Sequence, residues 1–210
     1  MKVIITGATG MVGEGVLLEC LNNPTVERVL AVARRSCGHT HPKLSELLIP
    51  DFRELESVEP ELSGYDACFY CAGVSSVGMK EPEYTAITYD TPLHFAQTLV
   101  RLNPGMVLVH VSGVQTDGSE QGKVMWARVK GKAENALARL PFKAVYNFRL
   151  SLTKPTPGQL HIKGTYKVLL VFYPLLNLFF PGLPLSAVGR AMINAVRYGA
   201  PKTVLEAKDM

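Results

Sequence analysis

The sequence predicts an α/β fold: a three-layer sandwich with helices on both faces of a mostly parallel sheet. Two observations predict it. Short apolar, β-branched runs alternate along the chain with longer stretches whose apolar residues recur at helical spacing. The first such run, Lys2–Thr6, leads into glycines at positions 7, 10 and 13, and then Val12, Val16, Leu17, Cys20 and Leu21 recur as one face of a helix.

Strand, glycine turn and helix in that order give the glycine spacing a physical meaning. Gly7 allows a tight turn, Gly10 lets backbone approach a pyrophosphate, and Gly13 lets the helix pack close to the strand. The free N–H groups and positive dipole end of the helix then face the phosphates across Thr9, Gly10, Met11, Val12 and Gly13. The expected ligand is a dinucleotide.

The second strand is expected over residues 27–33. About twenty residues past the glycines, an acid would suit a ribose 2′-hydroxyl. Arg34, Arg35 and Ser36 stand there instead. Two guanidinium groups and a hydroxyl suit a 2′-phosphate, so NADP is favoured over NAD. His39 and His41 follow, near Cys37, and read as solvated loop residues because no second ligand cluster accompanies them. A third strand is expected over 44–49, with Asp51 and Phe52 after it placed to touch an adenine ring. Residues 53–64 are acidic and expected to be partly helical.

The fourth strand, 65–70, ends in Cys71, Ala72 and Gly73, small residues at the edge where open parallel sheets bind ligands. Cys68 and Cys71 form C-x-x-C, but the first lies inside the strand, which argues against redox chemistry. A polar loop over 74–80 borders the same edge, and residues 81–102 read as two helices or one bent helix. Asp90 is the expected cap and Pro92 falls in a first turn, while Tyr84 and Tyr89 belong to an amphipathic face. The fifth strand, 106–111, delivers Ser112 and Gly113 to the ligand edge. A long helix over 122–139 carries Trp126 and Lys130 four apart on one face, and a sixth strand covers 142–150. Right-handed crossovers then give a Rossmann-like order, 3-2-1-4-5-6.

Residues 151–165 read as a loop beside the cofactor, and the whole chain as a single domain in which 151–200 forms a substrate-side cover. The apolar stretch 166–184 is broken by Pro174 and Asn177, and is too interrupted for a span of about twenty apolar residues. Pocket lining or packing ranks first for it, a dimer face second and peripheral membrane contact last, leaving a monomer or homodimer. Ser186 is the expected cap of a last amphipathic helix, and 203–206 a short strand.

With 47% hydrophobic and 19% charged residues, the chain has the balance of an ordinary soluble globule. A net charge of +4, not clustered, argues against nucleic acid and suits an anionic cofactor. Four cysteines without a framework spacing read as reduced thiols, no signal peptide is recognised, and a cytoplasmic location is expected.

Several segments together resemble the atypical short-chain dehydrogenase/reductase superfamily, and within it the Tat-interacting-protein-like NAD(P)-binding branch. They are T-G-A-T-G-M-V-G at 6–13, C-A-G at 71–73, V-S-G at 111–113, W-A-R-V-K-G-K at 126–132 and Phe148-Arg149. The resemblance covers roughly residues 1–150 well, and Leu150 stands where the family often has proline. It implies a serine that holds the substrate oxygen, a tyrosine that passes a proton, and a lysine that binds the nicotinamide ribose. These fall on Ser112, Trp126 and Lys130, with an indole in place of the phenol. An indole N–H only donates and cannot relay a proton near neutral pH. The implied function is an NADP-binding oxidoreductase acting on a small apolar carbonyl or alcohol. The alternative is a non-catalytic NADP-dependent sensor or protein-binding regulator.

Overall fold

The computed structural model describes residues 1–162 and 182–210. Its centre is a parallel sheet of seven strands in the order β3-β2-β1-β4-β5-β6-β9. The chain runs β1 (Lys2–Thr6), α1 (Met11–Asn22), β2 (Arg28–Ala33), β3 (Leu44–Leu48), a 3₁₀ turn (Glu56–Leu62) and β4 (Ala67–Tyr70). It continues through α2 (Glu81–Thr85), a π segment (Ala86–Asp90), α3 (Thr91–Leu102), β5 (Val107–Gly113), α4 (Met125–Ala138) and β6 (Ala144–Leu150). Strands β7 (Thr153–Lys154) and β8 (Leu183–Pro184) pair with each other, and α5 (Leu185–Tyr198) and β9 (Val204–Glu206) complete the order. The expected order therefore stands, extended by β9 on the far side of β6.

Alternate residues of each strand face opposite layers. Val3, Ile5, Val29, Ala31, Phe69 and Val109 pack under α1 and α5. Ile4, Leu30, Val32, Cys68 and Leu108 pack with Phe95 and Leu99 of α3 and Leu137 of α4. Strands β1, β2, β4 and β5 are buried on both faces, so they read as near-continuous apolar runs rather than alternating ones.

Two expected caps are not formed. Asp90 is itself helical (φ −66°, ψ −47°) and makes no capping bond. The Thr91 N–H and hydroxyl both return to the Ala86 carbonyl, the hydroxyl at 2.8 Å, which closes a π turn and carries the helix through. Pro92, which lacks an N–H, is tolerated at that widened turn. Ser186 lies inside α5, whose preceding residue is Pro184 in an extended conformation. Of the apolar stretch 166–184, positions 166–181 lie outside the described residues, as does Tyr166.

The layers are drawn together where glycine removes a side chain. A Cβ on Gly131 of α4 would lie 1.8 Å from the Asp117 carbonyl oxygen, so the loop after β5 rests directly on the helix backbone. A Cβ on Gly15 would lie 2.6 Å from Leu185 Cβ, which seats the start of α5 on α1.

One charged side chain is buried in that same layer. Glu14 of α1 is fully buried. It accepts hydrogen bonds from His39 Nε2 (2.8 Å), the His161 N–H (2.8 Å), the Leu160 N–H and, more weakly, Gln159 Nε2 (3.4 Å). His39 is thus a bonded, half-buried residue rather than a solvated one. Burial alone would push the Glu14 carboxyl up, but the bonds from Leu160, His39, His161 and Gln159 together outweigh it and hold it below the ordinary glutamate value.

Gly131→Ala should lower stability by about 2–3 kcal/mol in urea unfolding, because backbone must move. Gly105→Ala, where an added Cβ meets nothing within 4 Å, should change it by under about 0.5 kcal/mol. Because the Glu14 value is depressed on folding, its contribution is complete above the unfolded glutamate pKa and is lost as pH falls through the lower folded one. Between about pH 5 and pH 3, the melting temperature of Glu14→Gln should therefore fall less steeply than that of the wild type.

Candidate functional site

The carboxyl ends of β1, β4 and β5 lie side by side, with Thr6 paired to Tyr70 and Tyr70 to His110. The strand order reverses between β1 and β4, and this is where an open parallel sheet leaves a crevice.

The glycine turn forms the first wall of the crevice. Gly7 has φ +73°, a left-handed conformation that favours glycine, and a Cβ there would lie 2.6 Å from the Cys71 carbonyl carbon. A Cβ on Gly13 would lie 2.2 Å from the Gly7 oxygen, so the helix start and the turn are in backbone contact. Gly10 is exposed and donates its N–H to Gly7 O at 2.9 Å. The first helical bond is Glu14 N–H to Gly10 O, so the N–H groups of Met11, Val12 and Gly13 have no hydrogen-bond partner among the described residues. Thr9 sits half-exposed in the same turn. Thr6 braces the opposite wall, its hydroxyl accepting the N–H groups of Cys71 and Ala72, both at 3.1 Å. Gly73 beyond them faces open space. The turn has the shape and the free donors that a pyrophosphate requires.

At the end of β2, Arg34 and Arg35 are exposed and have no ion-pair or hydrogen-bond partner among the described residues. Ser36 is exposed beside them. It donates to Glu46 Oε2 at 2.8 Å, and the Cys37 N–H donates to Glu46 Oε1 at 2.6 Å. Farther along, Asp51 is held by the Arg53 guanidinium (2.6 Å to Nη2), which keeps its carboxyl well below the usual range, at about 2. Phe52 packs on Phe95, with ring centroids 5.4 Å apart.

The third group gathers at the end of β5. A methyl placed on Gly113 would touch the Trp126 ring at 3.8 Å and the Lys130 side-chain carbons at 3.9 Å. The helix spacing thus brings both side chains to the strand end beside Ser112. The Ser112 hydroxyl is buried and lies 3.1 Å from that of Thr116. The single Thr116 proton goes to Gly113 O at 2.7 Å, so Ser112 donates to Thr116 and keeps its lone pairs for a donor in the crevice.

Lys130 has no hydrogen-bond partner among the described residues. Burial holds its pKa below the ordinary lysine value, against the opposing charge of Glu134 one turn along. Glu134 is buried and paired bidentately with Arg149 of β6, at 2.7 and 3.1 Å. Burial, and then the Lys130 charge, push His110 down to about 4, so its ring is neutral at pH 7 and bonds Asn147 at 2.9 Å.

Two tyrosines stand on the elements packed against α4. Tyr84 is buried in helix packing, and Tyr89 lies under Lys132, 4.3 Å from its ring centroid.

Sequence reasoning missed Glu14, Glu134, Thr116 and Glu46. Glu14 carried a signal, because it stands three and seven residues before Leu17 and Leu21 on the stripe the helix buries.

Comparisons with known proteins agree with this architecture. The Bordetella bronchiseptica enzyme WbmG, solved in complex with NAD, is 15% identical, with a TM-score of 0.73 over 99% of this chain and 72% of that one. DesIV, a dTDP-glucose 4,6-dehydratase from Streptomyces venezuelae solved with NAD and TYD, is 17% identical, with a TM-score of 0.72 over 98% and 75%. A short chain dehydrogenase family protein from Francisella tularensis subsp. tularensis SCHU S4 is 13% identical, with a TM-score of 0.68 over 98% and 96%. At such identities the likeness is one of fold. No curated protein matches the chain. The profile of the NAD dependent epimerase/dehydratase family matches residues 3–130, well over half of the sequence. The chain belongs to the NAD dependent epimerase/dehydratase family.

Proposed function

We propose that the chain binds a nicotinamide dinucleotide, NADP in preference to NAD, and acts as an oxidoreductase on a small apolar carbonyl or alcohol. One observation carries the reading. Along a single sheet edge the structure aligns the glycine turn with its free N–H groups, two unpartnered guanidinium groups, and an unpartnered lysine beside Ser112. The first would hold the pyrophosphate, Arg34 and Arg35 the adenosine phosphate, and Lys130 the nicotinamide ribose. Family membership, and fold relatives solved with NAD, support a nicotinamide cofactor. The arginine pair is the reason to expect the phosphorylated form here. When bound, that cofactor supplies or accepts a hydride.

The chain's own residues would position the substrate. Ser112 accepts from a substrate hydroxyl, or donates to a carbonyl once its own proton turns away from Thr116. Trp126 offers an apolar face and one N–H donor at the same place. Lys130, with its lowered pKa, is the ionisable donor at the strand end. The motif resemblance of residues 126–132 supports placement near the Tat-interacting-protein-like reductases. A second reading is supported by Trp126 itself. With an indole where the related enzymes place a phenol, the chain would serve as a non-catalytic NADP-dependent sensor.

Trp126 is the chain's single tryptophan, so its emission reports binding. NADPH should quench it saturably and at lower concentration than NADH. Arg34→Ala with Arg35→Ala should weaken NADPH binding about 10–100-fold and leave NADH nearly unchanged. Equal affinities in the wild type would overturn the NADP preference, and absence of both by quenching and calorimetry would overturn the cofactor site. A panel of aldehydes, ketones and quinones then separates the two readings. Turnover of NADPH that is lost in Ser112→Ala supports the oxidoreductase. No wild-type turnover, with a gain in Trp126→Tyr of about 10²-fold over background, supports the sensor.

A further inference from the structure

Glu14 is a buried carboxylate with no part in the site as described, yet three segments of the cofactor edge converge on it. It lies in the first turn of the helix whose N–H groups face the crevice. Through His39 it holds the loop after β2, the loop that presents Arg34 and Arg35. Through the N–H groups of Leu160 and His161, and through Gln159, it holds the segment that follows β7. Gln159 adds a bond to Met11 O at 2.7 Å, on the same helix turn.

The two held segments are also joined to each other. His161 Nε2 donates to Cys37 O at 2.8 Å, and the Cys37 N–H donates to Glu46 of β3. The donors are unambiguous, because a carboxylate and a carbonyl only accept, so both imidazoles carry their proton on Nε2. Loop 34–39 is therefore clamped by Glu46 on one side and by Glu14 and His161 on the other, while its two arginine side chains stay free. A guanidinium pair on a fixed loop binds a dianion without first ordering the backbone.

We propose that Glu14 is the positioning residue of the cofactor edge: it fixes the arginine loop and residues 159–161 to the phosphate-facing helix turn, so that a 2′-phosphate held at one is felt at the other. The proposal rests on the NADP reading for its ligand, but the tie itself is a property of the free protein. Glu14→Gln keeps the shape and replaces one acceptor oxygen with a donor that faces other donors.

The test is hydrogen exchange by mass spectrometry on the full chain, with and without NADPH, alongside NADPH and NADH titrations. In the free protein, His39→Ala should speed amide exchange at 159–161 about tenfold, although the two sites are more than a hundred residues apart in sequence. In the wild type, NADPH should slow exchange at 34–39 and at 159–161 together. In Glu14→Gln it should slow the first without the second. The NADPH-to-NADH affinity ratio should also fall about tenfold in that variant, which general loosening would not produce, since it weakens both cofactors alike. Unchanged exchange at 159–161 in His39→Ala, or an unchanged affinity ratio in Glu14→Gln, overturns the proposal. If the wild type binds neither cofactor, the NADP reading is what fails, and exchange in free His39→Ala still decides the tie.

Discussion

Backbone-to-backbone contact at the glycine turn is the constraint on which the rest depends. The Gly7 Cα faces the Cys71–Ala72 peptide, and Gly13 faces the Gly7 carbonyl, at distances no Cβ can enter. Any side chain at either position would push α1 away from β1 or open the β1–β4 crevice. The Thr6 hydroxyl completes the arrangement by taking up two N–H groups that the end of β4 would otherwise leave unpaired. The same device recurs at Gly131, where the loop after β5 lies on α4. It is this contact that carries Trp126 and Lys130 to the end of β5.

Buried charge is handled consistently around the crevice. Glu14 is surrounded by donors, and Glu134 by a bidentate guanidinium. Removing one partner of such a pair costs more than the pair contributes, because the survivor is left desolvated. Lys130, half-buried at the end of β5, has the Glu134 charge one turn along but no hydrogen-bond partner among the described residues. The contrast marks it: where charge is structural it is satisfied, and where it faces the crevice it is left open.

Most of the sheet was legible in the sequence, because strands buried on both faces leave continuous apolar runs and the glycine spacing identifies the first crossover. The boundaries were less so. Asp90 and Ser186 look like caps, but a cap depends on whether the backbone before it is extended, and at Asp90 the Ala86 carbonyl recruits Thr91 and the helix continues. At the site, Ser112, Trp126 and Lys130 follow from spacing and resemblance, since strand ends and a four-residue helix interval are local. Glu14 and Glu46 were harder to read, although Glu14 stands on the stripe its helix buries. Their partners lie on other segments: Glu14 meets His39 and residues 159–161, and Glu46 on β3 meets Ser36 and Cys37 from the loop after β2.

The seating of α5 on α1 has a consequence for the order in which the molecule can be assembled during synthesis. Gly15 is covered by Leu185, and a Cβ on Gly189 would lie 2.7 Å from Glu19 Cβ. The outer face of α1 is therefore covered by residues about 170 positions further along the sequence. Contacts of such sequence separation form late and slow folding. Until then the face of α1 that carries Gly15 and Glu19 lies uncovered on a partial sheet. Closure of the α1 face is thus a late event of folding, reached only when α5 has docked.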